Sequence, residues 1–409
     1  METFPAQPKK KFGNVFYVGL LSFFGGVSQD MFVPILPLYL ANVLGFSKEF
    51  IGLSEGLLTA AASAFRFVAG WLSDKFGKQK PIVFVGYFFS MISRPLLAIF
   101  TGGAAIIGLR FLDGVGKGVK DSPKDVLIAG STESANRGKG FGIARMLDTF
   151  GSVAGPVLLF ALLYLFRDSL LKYHYILVFC ALPLFATLGI LVFKVKEVSA
   201  ANPPKFWSPK FGRAKSAEEM RPIKDGGLPI GFYLFLAVIA LFTIGNSSDA
   251  FLILRAQNVG VSLLAIPLVY ALFNFVYASA SVPLGSLSDR IGREKVILLG
   301  WMAYAIAYIG FALAKTSLEI WIIFAFYGLY YATTEGVAKA FVADIVEPSH
   351  RGRAYGIYNM TVGILALPAS VIAGFLWDKI NPAAPFYYGA VLSAIAAALL
   401  FFFVMRKKK

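Results

Sequence analysis

The chain has 409 residues, 57% of them hydrophobic and 15% charged, with a mean hydropathy of +0.69 and a formal net charge of +16. That is too apolar for a soluble domain of ordinary composition, so lipid is the solvent in which this fold has to be stable. One cysteine, Cys180, and two histidines, His174 and His350, exclude a disulfide framework and argue against a metal site or a metal cofactor; the basic residues recur in short segments instead of forming one aromatic-interleaved patch, which argues against nucleic acid as a partner.

A helix needs roughly 20 apolar residues to cross about 30 Å of hydrocarbon. Twelve stretches meet that length, at 12–40, 50–73, 81–101, 104–129, 138–165, 171–194, 229–254, 263–287, 296–314, 318–344, 353–376 and 384–405. The opening METFPAQPKKKFGN has no pattern of a cleaved leader, so 12–40 reads as a retained first span. One set of alternate loops is basic: Lys9 to Lys11, Lys75, Lys78 and Lys80, Arg137 and Lys139, Arg290, Arg293 and Lys295, Arg351 and Arg353, and Arg406 to Lys409. The opposite loops hold only Lys48, Arg167, Lys172, Arg255, Lys315 and Lys379. This asymmetry predicts a multi-pass protein of the inner (cytoplasmic) membrane with both termini cytoplasmic. The one long hydrophilic stretch, 195–228, reads as a basic linker between a first unit at 1–194 and a second at 229–409.

The two units repeat one another. GWLSDKFGKQK (70–80) recurs as GSLSDRIGREK (285–295) at an offset of 215, RGKGFG (137–142) recurs as RGRAYG (351–356) at 214, and Gly155-Pro156 lies near the shifted position of Leu367-Pro368 at 212. Three ordered matches at nearly one offset indicate a duplicated six-span unit, which predicts an all-α membrane protein of 12 helices in two pseudo-symmetric bundles. A site near the midplane would then be reached alternately from each side.

The GxLxDxxGxxK loop, present twice, resembles the signature loop of the major facilitator superfamily, and the resemblance extends over essentially the whole chain. It implies that Asp74 and its repeat Asp289 act as a cytoplasmic gate with Arg137, Arg351 and Arg353. Each carboxylate would meet a helix N-terminus and a guanidinium of the other half. In span five, GSVAGP (151–156) is similar to the GxxxGP element that the family shows chiefly in exporters coupled to an opposing proton flow, although Val157, Leu158 and Leu159 replace the usual trailing glycines. In span four, GLRFLDGVGKG (108–118) resembles the family pattern of an arginine followed four residues later by glycine, here Arg110 and Gly114; the resemblance associates that arginine with proton transfer.

An ionised side chain at the centre of a membrane helix costs roughly 2.5 to 3.5 kcal/mol and therefore needs a cavity or a partner. Arg110, Asp113, Lys117, Lys120 and Lys124 are spaced 3, 4, 3, 4 along one stripe of span four, with Asp121 and Asp125 beside its lower end, so this face is predicted to line a water-filled path or to face span five. Arg145 and Asp148 sit three apart on span five. Two readings stay open for these groups: internal ion pairs, such as Arg110 with Asp113 and Arg145 with Asp148, or substrate and proton handling. The remaining intramembrane ions are Asp30, Glu55, Arg66, Arg94, Asp249, Glu335 and Lys339. Asp30 and Asp249 fall in the outer part of spans one and seven, which look broken near Pro34 and Pro37 and near Asn246-Ser247-Ser248. Desolvation favours a carboxylate's protonated form, which suits it to carry a proton. Asp30 is the first choice as carrier, followed by Asp249 and Glu335, with Asp113, Asp148 and Glu55 as further candidates. Arg110, Lys117, Lys120, Arg145, Asn246 and Asn274 are the candidates for the substrate path. At the repeat offset Glu335 mirrors Lys120, which predicts that the two face one another across the path.

These features predict a carrier, not an enzyme, since HExxH does not occur and no paired His/Asp constellation falls within the spans. The expectation is a monomer in the bilayer that moves a small organic solute, anionic or zwitterionic, out of the cell in exchange for protons. Proton-coupled import or uniport on the same fold is the first alternative; a divalent-metal exporter or a membrane sensor stands further off.

Overall fold

The computed structural model describes residues 13–132, 137–198, 227–347 and 350–402, and the side chains of Asp74 and Arg137 lie outside that description, as does most of the predicted linker. Among the described residues, fourteen helical segments make up twelve spans. The first six spans are α1 (Gly13–Asn42), α2 (Lys48–Phe76), α3 (Lys80–Ile99), α4 (Gly103–Gly130), α5 (Arg137–Leu165) and a broken sixth, α6 (Lys172–Phe179) with α7 (Leu182–Phe193). The second six are a broken seventh, α8 (Ile230–Gly245) with α9 (Ala250–Asn258), then α10 (Ile266–Ile291), α11 (Arg293–Leu313), α12 (Ser317–Ile345), α13 (Arg351–Lys379) and α14 (Ala384–Leu400). Nine stretches among the described residues are individually long and apolar enough to cross a membrane. The other three spans are α4 and α12, which polar side chains interrupt, and α14.

The breaks differ from the sequence reading in an instructive way. Span one is continuous: Pro34 and Pro37 lie inside α1, so Asp30 sits on an unbroken helix. A proline removes one donor, and a membrane helix packed on its neighbours tolerates that loss. Span seven does break, because four successive turn-forming residues, Asn246 to Asp249, compete with the helix for backbone hydrogen bonds. Span six breaks at Cys180–Ala181, just before Pro183, where the sequence reading had one uninterrupted helix.

The duplicated loop explains its own glycines. Gly77 and Gly292 close the helices before them with φ of 61° and 100°, a backbone region that side chains disfavour, and this is why the motif keeps glycine there in both copies. The packing is duplicated as well: α2 and α3 pack on α4 as α10 and α11 pack on α12.

The halves meet mainly along α2 with α13 and α5 with α10. Toward the end of the bundle that carries Lys48 and Lys379, here the far end, the α2–α13 seam is backbone against backbone. A Cβ on Gly52 would strike the Ser370 carbonyl oxygen, one on Gly56 would lie 2.6 Å from the Leu367 Cα, and one on Gly374 would strike Lys48 and Glu49. The Asp378 carboxylate accepts from the Glu49 N–H at 2.9 Å and so caps α2 across the seam. At the opposite, basic end the halves part: a Cβ on Gly142, Gly285, Gly336 or Gly356 would meet nothing within 4 Å. Gly52→Leu is therefore expected to cost about 1–3 kcal/mol by overpacking, read as a lower melting temperature in detergent. Gly356→Leu, which faces open space, is expected to leave the melt unchanged.

Candidate functional site

Two polar assemblies occupy the interior, one per half. In the first half, glycines let the helices approach closely enough to bring charges from three spans together. Gly114 and Gly118 of α4 lie on the backbone of α2 at Leu58 and Ala62, and Gly116 lies against Gly86 and Ser90 of α3. Arg110 then pairs with Glu55 of α2 and, at 3.4 Å, with Asp113, which lies 3.7 Å from Arg94 of α3. Arg94 also donates to Ser28 and, at 2.7 Å, to Gln29 of α1, while Ser28 donates to the Cys180 carbonyl at the break in span six. Both guanidiniums lie over the Phe32 ring, at 5.1 and 5.3 Å. Two cations and two anions balance inside a dry core: Arg94, Arg110 and Asp113 are at most 2% exposed.

This corrects the reading of span four. Its upper stripe turns inward among α1, α2 and α3 and does not line an aqueous path or face α5. Lys120 does not face Glu335; it is buried against α3 with its ammonium 4.6 Å from the Tyr87 ring. Small residues on the flanking faces of α4 dock it on α2 and α3, and that docking buries Lys120. Arg66 and Asp121 form a further pair at 2.7 Å. Lys117 differs from the rest. It is half-buried, has no ion-pair partner among the described residues, and lies within Coulombic range of Asp30, Asp249 and Glu335.

In the second half the assembly is aromatic. Asp249 at the break in span seven accepts from the Tyr327 hydroxyl at 3.1 Å and the Tyr331 hydroxyl at 3.2 Å. Behind them pack Tyr304 and Tyr308, stacked at 3.9 Å, and Phe242 on Trp301 at 5.0 Å. The sequence reading missed these tyrosines, although Tyr327, Tyr331, Glu335 and Lys339 recur every fourth residue on span ten and so share one face. Asn246 donates to Tyr330 at 3.3 Å. Asn274 is spent between the halves, donating to the Ser152 carbonyl at 3.0 Å.

Asp30 faces Ser152 of α5. A Cβ on Gly155 would lie 3.2 Å from the Asp30 backbone, so the GSVAGP element packs α5 on α1 at the height of this carboxylate. Nearer the basic end Arg145 pairs with Asp148 at 3.3 Å, donates to the Tyr277 hydroxyl at 2.7 Å and lies 3.9 Å from Glu335; Glu335 also receives the Tyr277 hydroxyl and lies 3.8 Å from Lys339. These groups roof a cavity of about 550 Å³ that runs between α5, α10 and α12 past Ser281 and Gly285 to Asp289. Of the gate residues, Asp289 pairs at 3.0 Å with Arg293 of its own half, Arg351 donates to the Val346 carbonyl and Arg353 is exposed; the side chains of Asp74 and Arg137 lie outside the described residues. Among the described residues no group of three or more His, Cys, Asp or Glu is placed to hold a metal.

Two six-helix bundles around a polar cleft that is sealed at one end and parted at the other define a carrier of the alternating-access class. The family model of the Major Facilitator Superfamily matches residues 18–254 and 233–409, and the chain belongs to that family. It is 35% identical to an uncharacterised MFS-type transporter of Methanocaldococcus jannaschii, over 94% of this chain and 93% of that one. It is 21% identical to a proton-coupled antiporter flippase of Staphylococcus haemolyticus, over 89% and 88% of the two chains. Among solved structures, a D-xylose-proton symporter superimposes with a TM-score of 0.76 over 95% of this chain and 96% of that one at 15% identity, a likeness of fold alone.

Proposed function

We propose that this chain is a proton-coupled exporter of a small organic solute, anionic or zwitterionic, working as a monomer in the inner membrane with both termini in the cytoplasm. On that orientation the structure is open inward. The observation that carries the reading is the placement of Asp30 and Asp249. They lie on corresponding spans of the two halves, both half-buried, and neither has an ion-pair partner among the described residues. A carboxylate so placed can bind and release a proton without dismantling a salt bridge, which Asp113 in its dry network cannot do. The export direction is supported by GSVAGP, whose Gly155 lies against the Asp30 backbone, and by the flippase relative, itself a proton-coupled antiporter.

The solute's charge is inferred from Lys117 and Arg145. The other cations of span four and Arg94 are largely engaged inside the first half, whereas Lys117 has no ion-pair partner among the described residues and the Arg145 side chain is 59% exposed in the cleft. Asp74 and Asp289 remain the proposed gate at the basic end, to be engaged when that end closes. The test is flux in everted membrane vesicles, after a thermal-shift screen of organic anions, zwitterions and neutral drugs has supplied a ligand. Export predicts that energised everted vesicles accumulate the ligand and lose luminal acidity when it is added. Accumulation in right-side-out vesicles only would overturn export in favour of import.

A further inference from the structure

Where the two halves face one another around the break in span seven, three charges stand unpaired. Arg94 and Arg110 are neutralised by Asp113 and Glu55 inside the first half. Asp30, Asp249 and Lys117 remain, and none of them has an ion-pair partner among the described residues. Asp30 faces Ser152, and Asp249 accepts from the Tyr327 and Tyr331 hydroxyls. Hydroxyls satisfy the lone pairs of a carboxylate and leave its charge uncompensated. Lys117 is within Coulombic range of both carboxylates, yet it bridges to neither.

A fourth group at this level is unpartnered as well. Tyr270 of α10 is 6% exposed, and its hydroxyl has no hydrogen-bond partner among the described residues. It lies within Coulombic range of Asp30 of α1, Glu55 of α2 and Asp249, so it is aimed at the same centre. Its ring rests on Phe273 at 5.4 Å, and Phe273 in turn meets Tyr331 edge-on at 5.2 Å. Tyr331 helps to line the cavity while its hydroxyl bonds Asp249, so it links the two. The wall beside Asp249 is thus aromatic and hydroxylated, which suits an ammonium group. The carboxylate supplies the countercharge, the phenolic oxygens accept N–H donors, and the rings favour a cation over their faces.

The unpaired charges decide between the two solute classes. A simple anion on Lys117 would leave Asp249 uncompensated and set a further negative charge near Asp30, Asp249 and Glu335, all within Coulombic range of that lysine. A simple cation on Asp249 would leave Lys117 without a partner. A zwitterion compensates both at once. We propose that Asp249 and Lys117 are the two ends of a site for a zwitterionic amine, with the ammonium on Asp249 beside Tyr270 and the anionic group on Lys117. On the exporter reading above, which it presupposes, this site narrows the solute from anionic or zwitterionic to zwitterionic. Asp30 keeps the proton and Asp249 holds the solute. Each half supplies one anchor, so the site is complete only while both halves face the solute.

The test is equilibrium binding to full-length protein in lipid nanodiscs at neutral pH, with two charge-matched sets of probes. One set is phenylalanine, phenethylamine and hydrocinnamate; the other is γ-aminobutyrate, propylamine and butyrate. In at least one set the zwitterion is expected to bind about tenfold tighter than its amine or its acid. Asp249→Asn keeps the size of the side chain and its tyrosine contacts, and it is expected to weaken that zwitterion about tenfold, to the level of the acid. Lys117→Gln is expected to bring the zwitterion down to the level of the amine. Tyr270→Phe keeps the ring and is expected to weaken the zwitterion and the amine about threefold. Neither Lys117 nor Tyr270 hydrogen-bonds to a described residue, so their variants are expected to keep the parental melt and to carry the test even if Asp249→Asn misfolds. In both sets, a parent that binds the acid or the amine as tightly as the zwitterion, or binds no zwitterion, overturns the site. Zwitterion binding that Asp249→Asn or Lys117→Gln leaves unchanged does so too. No gradient enters the readout: zwitterion binding with uptake only in right-side-out vesicles would sink export and keep the site, whereas export of an acid that ignores both substitutions would do the reverse.

Discussion

Asp113→Asn is expected to destabilise the first half by about 3–5 kcal/mol, measured as a shift of the unfolding midpoint in detergent. The change is isosteric, so it alters charge and leaves packing alone. Asp113 is 2% exposed and is the only carboxylate within ion-pair distance of Arg94 among the described residues. Without its charge, Glu55 still neutralises Arg110, but Arg94 is left with Ser28, Gln29 and the Phe32 face, none of which carries a compensating charge. A buried guanidinium in that position costs more than the hydrogen bonds return. The cost belongs to the stranded cation, so Asp113→Leu combined with Arg94→Met should recover most of the loss. A double variant no more stable than Asp113→Asn would show that the network contributes geometry that apolar packing cannot replace. A neutral Asp113→Asn would show that water reaches Arg94.

The division of labour among the intramembrane charges follows from contacts between spans, and this is where sequence reading stopped. Spacing along one helix correctly raised the pairs Arg110 with Asp113 and Arg145 with Asp148, because positions three and four apart are neighbours whatever surrounds them. The twelve spans and the duplication were legible for the same reason, since apolar length and a repeated loop are properties of the chain in one dimension. Spacing could not show that Arg94 of span three and Glu55 of span two complete the network, nor that Lys120 is turned onto Tyr87, because those facts depend on how glycine faces dock α4 on its neighbours. Symmetry was a poor guide to individual contacts for a further reason: the backbone repeats at offsets of 212 to 215, but the first half fills its interior with guanidiniums and carboxylates where the second uses tyrosine. The tyrosine face of span ten was visible as a four-residue period and went unread, since aromatic periodicity on an apolar span ordinarily signals packing. With the basic end parted, the Asp289 carboxylate is satisfied by Arg293 of its own half, a pairing that the repeated motif alone did not indicate.

Asp30→Asn is expected to abolish accumulation against a gradient while leaving solute exchange intact. A difference of one pH unit supplies about 1.4 kcal/mol per proton, enough for roughly tenfold accumulation of a solute exchanged for one proton. A carrier that no longer binds the proton has no free energy to transfer, and the accumulation ratio in energised everted vesicles should fall to about 1, because coupling is reciprocal between the two ligands. Exchange of labelled for unlabelled solute needs no net proton movement and should persist, since the amide keeps the size of the side chain and its contact with Ser152. Asp249→Asn is expected to lower accumulation less, because Tyr327 and Tyr331 can still hydrogen-bond the amide oxygen and hold the span-seven break in place. If Asp30→Asn retains the full gradient-driven ratio, the proton travels elsewhere, and Asp249 becomes the carrier to test. If it loses exchange as well, Asp30 is a ligand for the solute and the assignment of proton and solute to separate groups fails.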